Sequence, residues 1–150
     1  MALTIRHATI ADAEPIASLI TELGYPTSPE QMSWRLTTIL RDDGYATQVA
    51  CDGATIAGMV GALVGPMYEM DEPYGQIMVL IVAAAYRRHG LGGRLIQAAE
   101  AFFAARGARV AIVTSAHRRA GAHAFYEGHG YAFDGRRYKK ALAPATDGAA

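Results

Sequence analysis

The sequence is short of most features that assign a protein quickly. It has one cysteine in 150 residues, Cys51, so no internal disulfide can form, and neither a disulfide-stapled scaffold nor a thiolate zinc cluster fits. It has no excess charge of either sign: 14 Lys and Arg balance 14 Asp and Glu, which removes the field that would draw nucleic acid or an anionic membrane. It has no long apolar run. The longest uncharged stretches, Ala54–Tyr68 and Pro73–Tyr86, fall short of the roughly 20 residues that span a bilayer. Arg6, His7, Asp12 and Glu14 interrupt the first residues, so no signal peptide is expected and the cytoplasm is the default location. Apolar material is nevertheless plentiful, at 51% hydrophobic against 19% charged, which suits one compact core rather than disorder. A single domain is expected over residues 1–142, with a loose tail over 143–150 made of Ala, Pro, Gly, Thr and Asp.

Periodicity orders the elements. Leu3 and Ile5 alternate with polar neighbours as in a short strand. Thr9 is placed to cap a helix whose Ile10, Ala13, Ile16, Ala17, Ile20 and Leu23 share a face, with Gly24 as its stop. Ser28-Pro29-Glu30-Gln31 is a second start signal, a hydroxyl cap with proline at the first position and Gln three residues on, for a helix to about Leu40. Ala46–Cys51 and Thr55–Val64 read as antiparallel strands about an Asp52-Gly53 turn. The continuous apolar run Gln76–Val82 predicts a strand buried on both faces. A glycine-rich turn, Arg87–Gly93, then opens a helix with Leu91, Leu95, Ala98, Ala99 and Phe102 on one face, followed by a strand over Val110–Thr114, a short helix over Ala120–Gly128, and one or two strands over Tyr131–Ala141.

The turn Arg87-Arg88-His89-Gly90-Leu91-Gly92-Gly93 carries the chemistry. Between a buried strand and a helix start, its glycines admit a ligand to the backbone, and the free amides of the helix end offer donors and partial positive charge to an anion. A plain glycine turn with solvated arginines is the alternative. It is neither a nucleotide P-loop, since Gly93-Arg94 follows Gly92 where Lys-Ser/Thr is required, nor a dinucleotide fingerprint, since Leu95 stands at the third glycine.

The pattern Arg87-x-x-Gly90-x-Gly92 after Leu80-Ile81-Val82, with a later Phe125-Tyr126-Glu127-x-x-Gly130-Tyr131 and an opening Ile5-Arg6-x-Ala8-Thr9-x-x-Asp12, resembles the Gcn5-related N-acetyltransferases over about Ile5–Leu142. The resemblance implies an α/β fold: a mixed, mostly antiparallel sheet of six or seven strands, splayed at the fourth and fifth, with about four helices. It implies acetyl-CoA as co-substrate in that opening and no metal. Its diphosphate would rest on the amides of Arg88, His89, Gly90, Leu91, Gly92 and Gly93, flanked by Arg87 and Arg94, and its pantetheine arm on the backbone at Leu80 and Val82. An amide near Ile81 or Val82 would polarise the thioester carbonyl. By the same resemblance Tyr126 is the acid that protonates the departing thiolate.

The base stays open. Many family members carry a glutamate on the fourth strand, where this chain has Gln76, Met78 and Val79. Glu69, Asp71 and Glu72 in the preceding loop and His117 after the fifth strand are the candidates. The stretch Thr114-Ser115-x-His117-Arg118-Arg119-x-x-Ala122-His123-x-Phe125-Tyr126 is similar to the branch containing the aminoalkylphosphonate N-acetyltransferases. Tyr25, Trp34, Glu69 and Tyr74 are candidates for an acceptor pocket, or equally for core and dimer contacts. The expected activity is acetyl transfer to a small-molecule primary amine, with a peptide acetyltransferase and a noncatalytic acyl-CoA sensor as alternatives, and a homodimer as the expected assembly.

Overall fold

A computed structural model describes residues 2–114 and 120–144. They fall into two compact units, residues 1–113 and 114–150.

The first unit is built on one five-stranded sheet, β1 (Leu3–His7), β2 (Tyr45–Asp52), β3 (Thr55–Gly65), β4 (Tyr74–Val82) and β5 (Val110–Val113), in that spatial order. β1 to β4 form an antiparallel meander, and β5 joins β4 in parallel after a helical crossover. The β2–β3 turn falls on Gly53-Ala54, one residue later than Asp52-Gly53, with Gly53 taking the positive φ of 60° that the tight loop requires.

The sheet's two faces carry different helices. Ala13–Leu23 (α1) and Pro29–Ile39 (α2) cover one, where Ile16, Leu19, Met32 and Leu36 pack on Val49, Cys51, Met59 and Ile81. Leu91–Ala105 (α3) covers the other. Its Leu95 reaches Gly58 and its Phe103 ring lies against Gly75, where a Cβ would have no room. The residues α3 buries are Leu91, Leu95, Ile96, Ala99 and Phe103. Phe102, expected on the core face, is turned aside with the Arg106 guanidinium 5.1 Å over its ring.

The helix starts follow local chemistry. At α2 the Gln31 amide donates to Ser28 Oγ at 3.1 Å, and the Ser28 amide to Gln31 Oε1 at 2.9 Å, the reciprocal box expected from the sequence. Ahead of α1 a one-turn 3-10 helix, Ile10–Asp12, intervenes. There Thr9 and Asp12 form a reciprocal box, and the buried Asp12 carboxylate accepts the Thr9 amide and both Arg6 guanidinium nitrogens, each at 2.8 Å. Those hydrogen bonds, Arg6 first, hold the Asp12 carboxyl below the usual carboxylate range.

Two expectations are corrected. β4 is not buried along its whole length: Gly75, against Phe103 of α3, Ile77, and Ile81, against α1 and α2, are inside, while Met78 is 51% exposed and Leu80 and Val82 are half-buried. The reason is that β5 ends opposite Ile77, so the rest of β4 loses its neighbour. No strand forms over described residues 131–144, so the described sheet has five strands rather than six or seven. Arg136, Arg137, Lys139 and Lys140 dilute the alternation there, and Phe133, Tyr138 and Leu142 stay exposed.

The second unit contains Ala120–Gly128 (α4), as expected. Gly130 at φ 89° closes it as Tyr131 N–H returns to Tyr126 C=O at 3.0 Å. The expected tail lies outside the described residues from 145 onward. No described helix is long and apolar enough to cross a membrane.

Candidate active site

The splay after β4 is built by register. β3 and β4 pair Gly61 with Val79 but Ala62 with Ile77, which leaves Met78 as an extra, bulged residue. Beyond it, Ala83 N–H donates to Ala57 C=O at 2.8 Å. Hydrogen-bonded pairs alternate along an antiparallel ladder, so Ile81 and Val79 turn their amide groups to β3 while Leu80 and Val82 turn theirs outward. Among the described residues no strand pairs with β4 on that side beyond Ile77. Of the two amides considered for the thioester carbonyl, the ladder takes Ile81 and leaves Val82.

The cradle continues from this outward edge. A one-turn 3-10 helix, Ala84–Tyr86, leads to Arg87, and α3 opens at Gly90 with φ 75°. The first helical bond is Arg94 N–H to Gly90 C=O at 3.2 Å, so the amides from Gly90 to Gly93 precede any intrahelical acceptor. No side chain caps this end and its first turn holds no acid. Arg88 at φ 67° is the described non-glycine residue with positive φ, and that strain of about 1 kcal/mol falls inside the cradle. A Cβ on Gly90 would meet nothing within 4 Å. The space is open, and the positive φ is what calls for glycine.

The flanking arginines make hydrogen bonds within the chain. Arg87, expected to bring its charge near the anion, donates from Nε to Val82 C=O at 3.0 Å and from NH2 to Glu22 Oε1 at 3.1 Å. Arg94 donates to Leu3 C=O at 3.0 Å. Arg88 and His89 are exposed. Beside the cradle, Tyr86 donates its hydroxyl to Asp52 at 2.8 Å, which raises the phenol's pKa.

Tyr126 stands on α4 in the second unit, half-buried, edge-on to Phe125 at 5.3 Å and to Tyr131 at 6.0 Å. His117, with Ser115, Arg118 and Arg119, lies outside the described residues. In the acidic loop, Glu69 and Asp71 are exposed and Glu72 lies 3.7 Å from Arg109. The four pocket candidates are dispersed: Tyr25 follows α1, Trp34 is 77% exposed on α2 beside Glu30, Gln31 and Arg35, Glu69 is in the loop, and Tyr74 begins β4. No hydrogen bond or ring contact joins any two of them among the described residues. Nor does any group of three His, Cys, Asp or Glu gather as for a metal there.

Sequence reading missed Glu22. Its partners lie 62 and 65 residues away, and no local pattern marks such a contact. Arg6 and Asp12 belong to the opening motif, and their ion pair is the physical content of that motif.

A splayed α/β sheet whose outward strand edge runs into an uncapped helix can take an elongated anionic ligand on backbone groups alone. The chain belongs to the acetyltransferase (GNAT) family, whose model matches residues 13–131. That membership makes the chain an N-acetyltransferase in class. It is similar to a GNAT family acetyltransferase from Staphylococcus aureus (24% identity, TM-score 0.81, 95% of this chain and 100% of that one). It is also similar to a transcriptional regulator from Bacillus halodurans (23%, 0.87, 94% and 100%). A third likeness is to glucosamine-6-phosphate N-acetyltransferase from Arabidopsis thaliana (18%, 0.80, 95% and 100%). These identities establish the fold. No curated protein matches the chain.

Proposed function

We propose that the chain transfers the acetyl group of acetyl-CoA to a primary amine of a small molecule, by direct attack with both substrates bound. The observation that carries this reading is the continuity of the outward main chain at Leu80 and Val82 with the uncapped end of α3. The residues present fit acetyl-CoA: open amides from Gly90 to Gly93 for a diphosphate, no acid in that turn, and strand groups for the amides of a pantetheine arm. When bound, acetyl-CoA supplies the activated acetyl thioester.

Val82 N–H is placed to donate to oxygen charge that develops during attack. Most of the rate then comes from holding amine and thioester together, which asks little of charged side chains. Tyr126 gives its phenolic proton to the sulfur as the C–S bond breaks, and the amine's proton leaves through Glu69, Asp71, Glu72 or His117. The likeness of residues 114–126 to the aminoalkylphosphonate branch, together with a fold neighbour named for a phosphorylated amino sugar, puts phosphonate- or phosphate-bearing amines first among acceptors. We assign the work to residues 1–142 as one domain, in the cytoplasm, where the free, buried Cys51 is at home. We also assign it to a homodimer, since Val110 and Ile112 leave the β5 edge partly apolar and exposed.

The test is CoA thiol release from acetyl-CoA with aminoalkylphosphonates, amino sugar phosphates, aminoglycosides, polyamines and short peptides. Release with a small amine supports the reading, and release with peptides alone overturns it. Tyr126→Phe should lower kcat about 100-fold with acetyl-CoA affinity unchanged. An equal loss of both would remove the phenol from the acid role.

A further inference from the structure

Glu22, at the C-terminal end of α1, ties that helix to both ends of the segment that leads into the cradle. One oxygen, Oε1, accepts the Ala84 amide at 3.1 Å and Arg87 NH2 at 3.1 Å, and the same guanidinium donates from Nε to Val82 C=O at 3.0 Å. Ala84 begins the 3-10 turn and Arg87 ends it, so a single carboxylate spans the turn. Val82 C=O belongs to the outward edge of β4, so the guanidinium bridges that edge and α1 at once.

The pair is half-exposed, with side-chain accessibilities of 55% for Arg87 and 35% for Glu22. Such pairs add little to global stability. Geometry is another matter, because a ligand held by backbone amides along a strand edge and a helix end is sensitive to displacements of about 1 Å between the two. Arg87 is fork-shaped and can donate in two directions, which a lysine ammonium on one stem cannot reproduce.

We infer that Glu22 is a positioning residue for acetyl-CoA: it holds Arg87 away from the diphosphate and against Val82, so that the strand edge and the cradle keep a fixed separation. The inference rests on the acetyl-CoA reading above. It assigns Arg87 a structural fork rather than a phosphate contact, and it connects the cradle to α1, whose exit leads to the loop before α2.

The experiment is calorimetric titration of the full chain with CoA for the wild type, Glu22→Ala, Glu22→Gln, Arg87→Lys and the Glu22→Ala/Arg87→Lys double variant, with melting temperatures of each free protein. Glu22→Ala should weaken CoA about tenfold. Glu22→Gln, whose amide oxygen still accepts both donors, should stay within about threefold. Arg87→Lys should resemble Glu22→Ala, and the double variant should be no weaker than either single one. Melting temperatures should agree within a few degrees, as for an exposed pair. In steady state the loss should fall on KM for acetyl-CoA rather than on kcat. Wild-type affinity in Glu22→Ala, tighter binding in it, or a Glu22→Gln as weak as Arg87→Lys would each overturn the inference while leaving the acetyl-CoA reading standing. A wild-type chain that does not bind CoA overturns both. Should Glu22→Ala not fold, the contrast between Glu22→Gln and Arg87→Lys decides the matter.

Discussion

α2 and α3 begin in opposite ways. α2 closes its own end, with Ser28 and Gln31 exchanging hydrogen bonds, Pro29 removing a donor and Glu30 adding an acid. At the corresponding positions α3 has Gly90, Leu91, Gly92 and Gly93, none of which closes anything. The difference follows what each helix can lean on. α3 buries Leu91, Leu95, Ile96, Ala99 and Phe103 against the sheet, whereas α2 buries Met32 and Leu36. A helix held by packing can leave its donors open for a ligand, and one with few buried side chains needs its cap.

The contrast can be broken from the packing side. Gly75→Val should drive a side chain into the Phe103 ring and cost about 3 kcal/mol, lowering the melting temperature by roughly 10 °C, since the clash is with a buried ring. A variant within 2 °C of wild type would show that α3 is not anchored at that contact.

It can be broken next from the ligand side. Gly92→Glu gives α3 the acid that Glu30 gives α2, and an acid at a helix start suits the free helix but repels an anion. CoA affinity should fall by about 10- to 100-fold, or roughly 1.4–2.8 kcal/mol, as read by titration. Unchanged affinity would detach the diphosphate from this helix end.

α1 sharpens the comparison, because its entry is closed by a charge. Asp12 has its pKa held down in the folded state, so it contributes stability that is full above the usual carboxylate range and is lost as pH falls below it, through the lowered folded pKa. Asp12→Asn should therefore be about 1–2 kcal/mol less stable than wild type at pH 7, with the gap closing below about pH 4 in denaturant titrations. A gap that does not depend on pH would mean that shape, not charge, does the closing.

The smallest effect belongs to the cap itself. Ser28→Ala should cost about 1 kcal/mol, a shift of a few degrees in melting temperature, and leave CoA binding untouched.

How legible these features are in the sequence depends on how local their causes are. The α2 box is four consecutive residues, and it was readable to the residue. The glycine turn before α3 was readable because strand, turn and helix start are contiguous. Helical spacing predicts Phe102 on the core face, where the structure has Phe103, because spacing gives a face to within about one residue and Gly75, far away on β4, decides which ring fits. The partial exposure of β4 follows from where β5 stops, and the ion pair of Arg87 from Glu22. Both are long-range facts with no imprint on neighbouring residues.

Met78 has a consequence of its own. Above it the paired residue numbers of β3 and β4 add to 140, as in Gly58 with Val82, and below it to 139, as in Ala62 with Ile77. The bulge is thus a phase shifter in the backbone. Deleting that one residue would leave the pairs on either side in place, Gly58 with Val82 and Ala62 with Ile77, so the same carbonyls and amides would still turn outward; what would be lost is the local bend and added twist where β4 leaves its β5 neighbour, and the opening is in this sense a matter of backbone curvature.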